Sequence, residues 1–373
     1  MTGLICGNLG SELVQLARIT LMDDLKQAQA YIRRLCRTLR KGHPDIATSL
    51  LELLEASLGS RSAASTRGRA PALPPVDMES RSSLLKIDRI LFMPETPNLH
   101  PHVLDQVDQV IAERGRIKEL AAADLEPSRT LLFTGKPGVG KTLTAKWLAY
   151  RLGKPLFTLD LATVMSSLLG RSGTNIRDVL NFAKENDGIL FLDEFDALAK
   201  RRDDDTDVGE VKRLVTVLLQ EIDLWPSDRL LIAATNHGEL LDPAIWRRFD
   251  VVVTFPLPEL DSLQAVFARE FADDVDRGWV NAFAVMHRGK SYSDAVRAAR
   301  TLRRRAVLTG EPVEARILAA IRASVEDLPK SEIKQLGIEL EAAGVSQRQV
   351  SDLTGLSRDT LRRARSASEK THG

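Results

Sequence analysis

The sequence predicts an α/β fold: a parallel β-sheet sandwiched between helices, followed by a small all-helical unit. Three observations predict it. Short apolar runs alternate with helical stretches between residues 130 and 255. A glycine-rich loop leads from the first of these runs into a helix. Past Pro256 and Pro258 the strand-like runs stop and amphipathic helices take over. Continuous apolar runs of this length suit strands covered on both faces, which is the situation in a parallel sheet with helices on either side.

The bulk composition sets the outer limits. A chain of 373 residues is long for one domain and short for three full ones, so a main domain with smaller appendages is expected. With 43% hydrophobic and 28% charged residues it has the make-up of a soluble protein, and no apolar run approaches the roughly 20 residues a membrane span needs. No membrane association is expected. Met1 to Gly10 has no basic start with an apolar block and small-residue cleavage site, so the expected location is the cytoplasm. A net charge of +1 gives no global pull toward nucleic acid. Cys6 and Cys36 have no metal-type spacing and are expected as free thiols.

Taken in order, residues 1–58 predict a helical hairpin. Leu25, Ala28, Ile32, Leu35 and Leu39 form one stripe, Ile46, Leu50, Leu53 and Leu54 another, and Gly42, His43 and Pro44 break between them. The hairpin either packs on the core or binds a partner. Residues 59–82, rich in Ser, Ala, Arg, Gly and Pro, are a linker. Residues 83–258 hold the large domain, with strands at Thr130–Phe133, Leu156–Leu159, Ile189–Leu192, Leu230–Ala234 and Val251–Phe255. Residues 259–328 form a helical lid, with helices at Asp261–Ala272, Trp279–His287, Ser291–Leu308 and Val313–Val325. Residues 329–373 are a helical tail broken at Gly344 and Gly355.

Two segments carry the chemistry. Gly135-Lys136-Pro137-Gly138-Val139-Gly140-Lys141-Thr142 follows a strand and opens a helix, the spacing and context of a phosphate-binding loop. Its glycines let backbone N–H groups turn inward around phosphates, with Leu143 continuing into the helix. Lys141 reaches the outer phosphates, and the Thr142 hydroxyl suits a Mg²⁺ ion. In Ile189-Leu-Phe-Leu-Asp193-Glu194 an apolar strand ends in two carboxylates. Asp193 at the strand tip suits the metal shell, and Glu194 beside it suits orientation of an attacking water.

With these motifs, the chain resembles the AAA family of ATPases over about residues 85 to 325. Asp193-Glu194-Phe195-Asp196-Ala197-Leu198 resembles the family's strand-end signature, Ala234-Thr235-Asn236 its sensor strand, and Leu241 to Asp250 its arginine-finger stretch. The resemblance implies that Asn236 contacts the γ-phosphate or the attacking water. It implies that Arg247 or Arg248 reaches a neighbour's nucleotide, which makes the protein an ATP-dependent homo-oligomer, usually a hexameric ring. The alternative is that these arginines pair locally with Asp250 or Asp242. The lid segment Gly289-Lys-Ser-Tyr292-Ser293-Asp294 resembles the version in which a small residue faces the nucleotide, with Arg297 a secondary candidate for phosphate contact.

Where the family carries an aromatic-aliphatic-glycine pore motif, this chain has Leu168-Leu169-Gly170. The loss of the aromatic removes part of the grip on a threaded polypeptide. The run Asp203 to Asp207 resembles a second pore-facing loop or is a solvated acidic loop. From Phe191 to Phe255, including Asp207-Val208-Gly209-Glu210, the chain is similar to bacterial AAA ATPases encoded beside a subtilisin-like serine peptidase. That likeness implies such a peptidase as a partner, with defence against phage as one setting.

The tail from Ala343 to Arg363 has the pattern of a helix-turn-helix. Ser346 and Ser357 are N-caps, Gly355 makes the turn, and Val350, Leu353, Leu356 and Leu361 form a small core. Its last helix presents Arg358, Arg362, Arg363 and Arg365 as DNA-contact candidates. The same fold also serves packing or protein contact, and the alternative function is a nucleotide switch held on DNA.

Overall fold

The computed structural model describes residues 85–90, 96–163, 172–197, 208–271 and 275–363. The N-terminal hairpin, the linker, Leu168-Leu169-Gly170, the Asp203–Asp207 run and Arg365 lie outside them.

The architecture is a mixed α/β layer followed by helices. A six-stranded sheet has the order β1-β3-β4-β5-β2-β6. Its members are β1 (Lys86–Asp88), β2 (Thr130–Thr134), β3 (Leu156–Asp160), β4 (Ile189–Asp193), β5 (Leu230–Thr235) and β6 (Val251–Thr254). Each central strand pairs parallel with its neighbours, and only β1 runs antiparallel, against β3. The five predicted strands match to within a residue. No apolar run marks β1, which is three residues long and largely exposed.

Between β1 and β2 come α1 (Pro101–Gly115) and α2 (Ile117–Ala122), and between the later strands lie α3 (Lys141–Arg151), α4 (Ser172–Glu185), α5 (Val208–Asp223) and the single turn α6 (Pro243–Trp246). Alternate side chains of each strand enter opposite cores. Leu131, Phe133, Phe191 and Ile232 meet Val107 and Val110 of α1 and Leu148 of α3. Leu132, Leu190, Leu192 and Leu231 meet Leu180 of α4 and Leu218 and Ile222 of α5. Burying each such side chain is worth about 1.5–3 kcal/mol, so two-sided burial explains why the strands carry unbroken apolar runs.

After β6 the lid contains α7 (Leu260–Phe271), α8 (Arg277–Met286), α9 (Tyr292–Thr309) and α10 (Val313–Ser324). The tail follows as α11 (Lys330–Ala342), α12 (Gln347–Thr354) and a last helical stretch at 358–363. Here the structure corrects an expectation. Val350, Leu353 and Leu361 do not make a core of their own; with Leu336 and Leu340 they join Phe267, Phe283 and Ala299 in one continuous apolar cluster of the lid. The contact is close, since a Cβ placed on Gly278 of α8 falls 2.6 Å from the Ala343 backbone nitrogen.

Candidate nucleotide site

The strand order decides where the functional residues meet. The tips of β4, β5 and β2 lie side by side at the carboxyl edge of the sheet, the usual ligand position in open α/β sheets. Asp193 and Glu194 follow β4, Asn236 follows β5, and the glycine-rich loop follows β2. The register aligns Phe133 with Ala234 and Thr134 with Thr235.

The loop is shaped by backbone conformations that side chains disfavour. Gly138 has φ +78°, and a Cβ there would stand 2.6 Å from Ser291 Oγ and 2.9 Å from Ser293 Cβ. The close approach is made by the lid, because the Ser293 backbone N–H donates to the Gly138 carbonyl at 3.1 Å. This places the small residue of the lid segment directly on the loop. Arg297 lines the same cleft and pairs with Asp294 at 2.5 Å.

Lys141 is buried, with 7% exposure. Its Nζ donates to the carbonyls of Gly135 at 2.5 Å and Lys136 at 3.0 Å and to Asn236 Oδ1 at 2.8 Å. Lys141 of the glycine-rich loop and Asn236 at the tip of β5 are thus in direct contact. Burial lowers the Lys141 pKa to about 8, against the opposing pull of Asp193 and Asp196. Thr142 Oγ1 donates to Asp193 Oδ2 at 3.4 Å, and burial raises the Asp193 carboxyl above its ordinary range.

Glu194 has φ +54°, which is uncommon for a residue with a side chain. Its N–H donates to Asp193 Oδ1 at 3.0 Å, and the next N–H, of Phe195, donates to the Ala234 carbonyl at 2.8 Å. Phe195 is fully buried and packs edge-on to Phe249. Anchoring Phe195 inward forces the chain to reverse at Glu194, whose side chain lines the cleft. A conformation of this kind costs on the order of 1–3 kcal/mol and persists where its surroundings impose it.

Asp196 is a residue to which the sequence reading gave no role. Only 3% exposed, its Oδ1 accepts from Thr235 Oγ1 at 3.0 Å and from the Asn236 N–H at 3.2 Å. It therefore sets the backbone direction at Asn236. The signal was present: an acidic residue beside a buried Phe in an apolar context needs donors. Leu99 and Tyr292 also line the cleft, which has a volume of about 1360 Å³, and neither was singled out as a contact. His237 is held by Glu239 at 3.0 Å, outside the catalytic group.

The two adjacent arginines are resolved differently. Arg248 forms an ion pair with Asp223 at the end of α5, whereas Arg247 is exposed. Neither uses the aspartates proposed as local partners. Asp242 accepts from the Ala244 N–H at 2.8 Å, and Asp250 Oδ2 accepts the N–H groups of Arg129 at 2.8 Å and Thr130 at 3.0 Å. Arg358, Arg362 and Arg363 lie in the tail, away from this cluster in sequence, and all three are exposed.

A pH dependence follows from Lys141. Its ammonium is the form that attracts phosphate, and it is lost in the free protein as pH rises through about 8. Bound phosphates favour the charged form, so affinity for ATP falls as pH rises above that point, to about tenfold weaker at pH 9 than at pH 7. Titrating ATP calorimetrically at pH 7, 8 and 9 checks this; a flat profile would show that Lys141 keeps its charge without phosphate.

Comparison with known proteins agrees with this geometry. Residues 131–257 match the family described as ATPase family associated with various cellular activities (AAA). An uncharacterized AAA family ATPase, y4kL, of Sinorhizobium fredii is 47% identical over 151 residues, covering 39% of this chain and 46% of the relative. The proteasome-activating nucleotidase of Methanopyrus kandleri is 31% identical over 222 residues, 54% of this chain and 50% of the relative. The chain thus spans about half the length of the relatives it matches. In fold it is similar to the crystal structure of the FIGL-1 AAA domain, with a TM-score of 0.51 at 17% identity, covering 78% of this chain and 92% of that one. Among the described residues no helix is long and apolar enough to cross a membrane. Residues 131–257 thus carry the match to the AAA ATPase family model, with the glycine-rich loop, the Asp193-Glu194 strand end and Asn236 at three adjacent strand tips.

Proposed function

We propose that this chain hydrolyses ATP with Mg²⁺ in a ring, at sites completed by a neighbouring subunit, and uses the cycle to remodel or regulate a protein partner. The observation that carries the reading is the meeting of Lys141, Thr142, Asp193, Glu194 and Asn236 in one cleft.

Thr142 Oγ1 and Asp193 Oδ2 offer two hard oxygens side by side. Mg²⁺ commonly takes one or two protein ligands and completes its shell with phosphate oxygens and water, so this pair fits the ion. When bound, it supplies positive charge against the β- and γ-phosphate oxygens. Lys141 turns from its carbonyl partners to the phosphates, and the backbone N–H groups of Gly138 to Thr142 cradle them. Asn236 orients the water or the γ-phosphate. Glu194 accepts the water's proton as its oxygen attacks phosphorus and the bond to ADP breaks.

The ring is supported by the arginines. Arg248 is committed to Asp223, while Arg247 points to solvent and is the residue able to enter a neighbour's cleft. The names of several relatives describe proteasome activation, which favours a protein client. The resemblance over Phe191 to Phe255 extends the proposal to a subtilisin-like serine peptidase as the partner, with phage defence as the setting. Light scattering after size exclusion, with and without Mg-ATP, tests the assembly alongside the ATPase rate. A nucleotide-dependent oligomer whose specific activity rises with protein concentration is expected; an active monomer would overturn the shared site.

A further inference from the structure

The geometry points to a second binding surface, in which the C-terminal helical tail holds double-stranded DNA through Arg358, Arg362 and Arg363. This goes beyond the ATPase reading and rests on different residues.

The local structure is specified with care for a short segment. Ser346 caps α12, its Oγ accepting from the Gln349 N–H at 3.4 Å, and Gln349 Oε1 returns to the Ser346 N–H at 3.4 Å, a reciprocal capping box. Helix α12 ends at Gly355 in the left-handed conformation, φ +67°. Ser351 Oγ donates to the Leu356 carbonyl at 2.7 Å, which fixes the turn, and Ser357 Oγ accepts the Thr360 N–H at 3.2 Å to start the next helical stretch. That stretch is pinned from behind by Leu361, 1% exposed, seated so closely on α11 that a Cβ on Gly337 would fall 2.5 Å from Leu361 Cδ2.

With Leu361 facing inward, the outer face is left to Arg358, Arg362 and Arg363, all exposed. Of the acidic residues that balance these arginines in sequence, Glu339 and Glu341 are turned away, while Asp359 shares the arginine face. Glu339 is turned onto the lid, accepting from Asn281 Nδ2 at 3.0 Å, and Glu341 is half-buried. Asp352 and Asp359 remain exposed, and the Arg362–Asp359 contact, at 3.7 Å with both side chains 79% exposed, is a weak surface pair that phosphate can replace. Arg348 at the start of α12 adds a further exposed cation.

A tight helix-turn-helix with a rigid inner face and a guanidinium-rich outer face matches a phosphate-lined major groove in shape and charge. A protein partner of the same face would need an acidic surface but no helical groove. Two of the lid's arginines contrast with these: Arg300 donates through Nε and Nη2 to Glu270, and Arg303 donates to the Glu270 carbonyl.

The test uses the full chain and a fluorescent pool of 30-base-pair duplexes of random sequence, titrated by anisotropy from 50 to 200 mM salt. Binding that weakens with salt is expected. If the three arginines each neutralise one phosphate, their share of the slope of log affinity against log salt is about −2.7, or about 40-fold over this range. The triple substitution R358Q/R362Q/R363Q removes that share, while R358K/R362K/R363K retains it. Circular dichroism and ATPase rate should match wild type in both, which separates failure of this proposal from failure of the nucleotide site. No salt-sensitive duplex binding at 50 mM, or equal binding by the triple glutamine variant, overturns the proposal and leaves the tail as a surface for packing or protein contact.

Discussion

Glu194→Gln is expected to lower ATP turnover by about 10²–10⁴-fold while leaving ATP affinity close to wild type. The amide preserves the size of the side chain and the reversed backbone set by the Phe195–Ala234 hydrogen bond, and it leaves Lys141, Thr142 and Asp193 untouched. What it removes is the basic oxygen that takes the water's proton. Because nucleotide then stays bound and uncleaved, the variant should also hold the ATP-dependent assembly longer. Single-turnover hydrolysis and ATP titration on the same preparation check both halves. Hydrolysis at the wild-type rate would move the base elsewhere.

Arg247→Ala is expected to lower turnover by about 10³-fold or more, the loss seen when a guanidinium is withdrawn from transferring phosphate, again with little change in ATP affinity. Arg248→Ala should behave differently. It leaves Asp223 without its partner and should act through stability. A mixing experiment gives the sharper answer. Arg247→Ala supplies an intact nucleotide pocket, and Lys141→Ala supplies an intact Arg247 with a disabled pocket. Activity regained on mixing the two inactive variants means the arginine works across the interface; no regain at any ratio means it does not.

How much of this was legible in the sequence depends on where the information lies along the chain. The phosphate loop, the strand-end carboxylates and Asn236 sit in contiguous motifs whose strands carry their own apolar signature, so local pattern sufficed to place them. Strand β1 was invisible because three largely exposed residues on a sheet edge need little apolar content. The partner of Arg248 was missed because Asp223 is 25 residues away at the end of α5, and spacing in sequence says nothing about that pairing. Asp196 was quoted as part of a motif, yet its work as an acceptor beneath Asn236 depends on burial. In the tail, the helical pattern marked Val350, Leu353 and Leu361 as inward-facing, but periodicity cannot say whether an apolar stripe closes on itself or on its neighbour.

That last feature bears on modularity. The point at which the sequence pattern changes, near residue 328, is not a seam, because Leu336, Leu340 and Leu361 complete the same apolar cluster as Phe267 and Phe283. A protein trimmed there would present raw oily surface to water, and a tail transplanted alone would carry half an interior. The segment has to be inherited, expressed and replaced together with the lid.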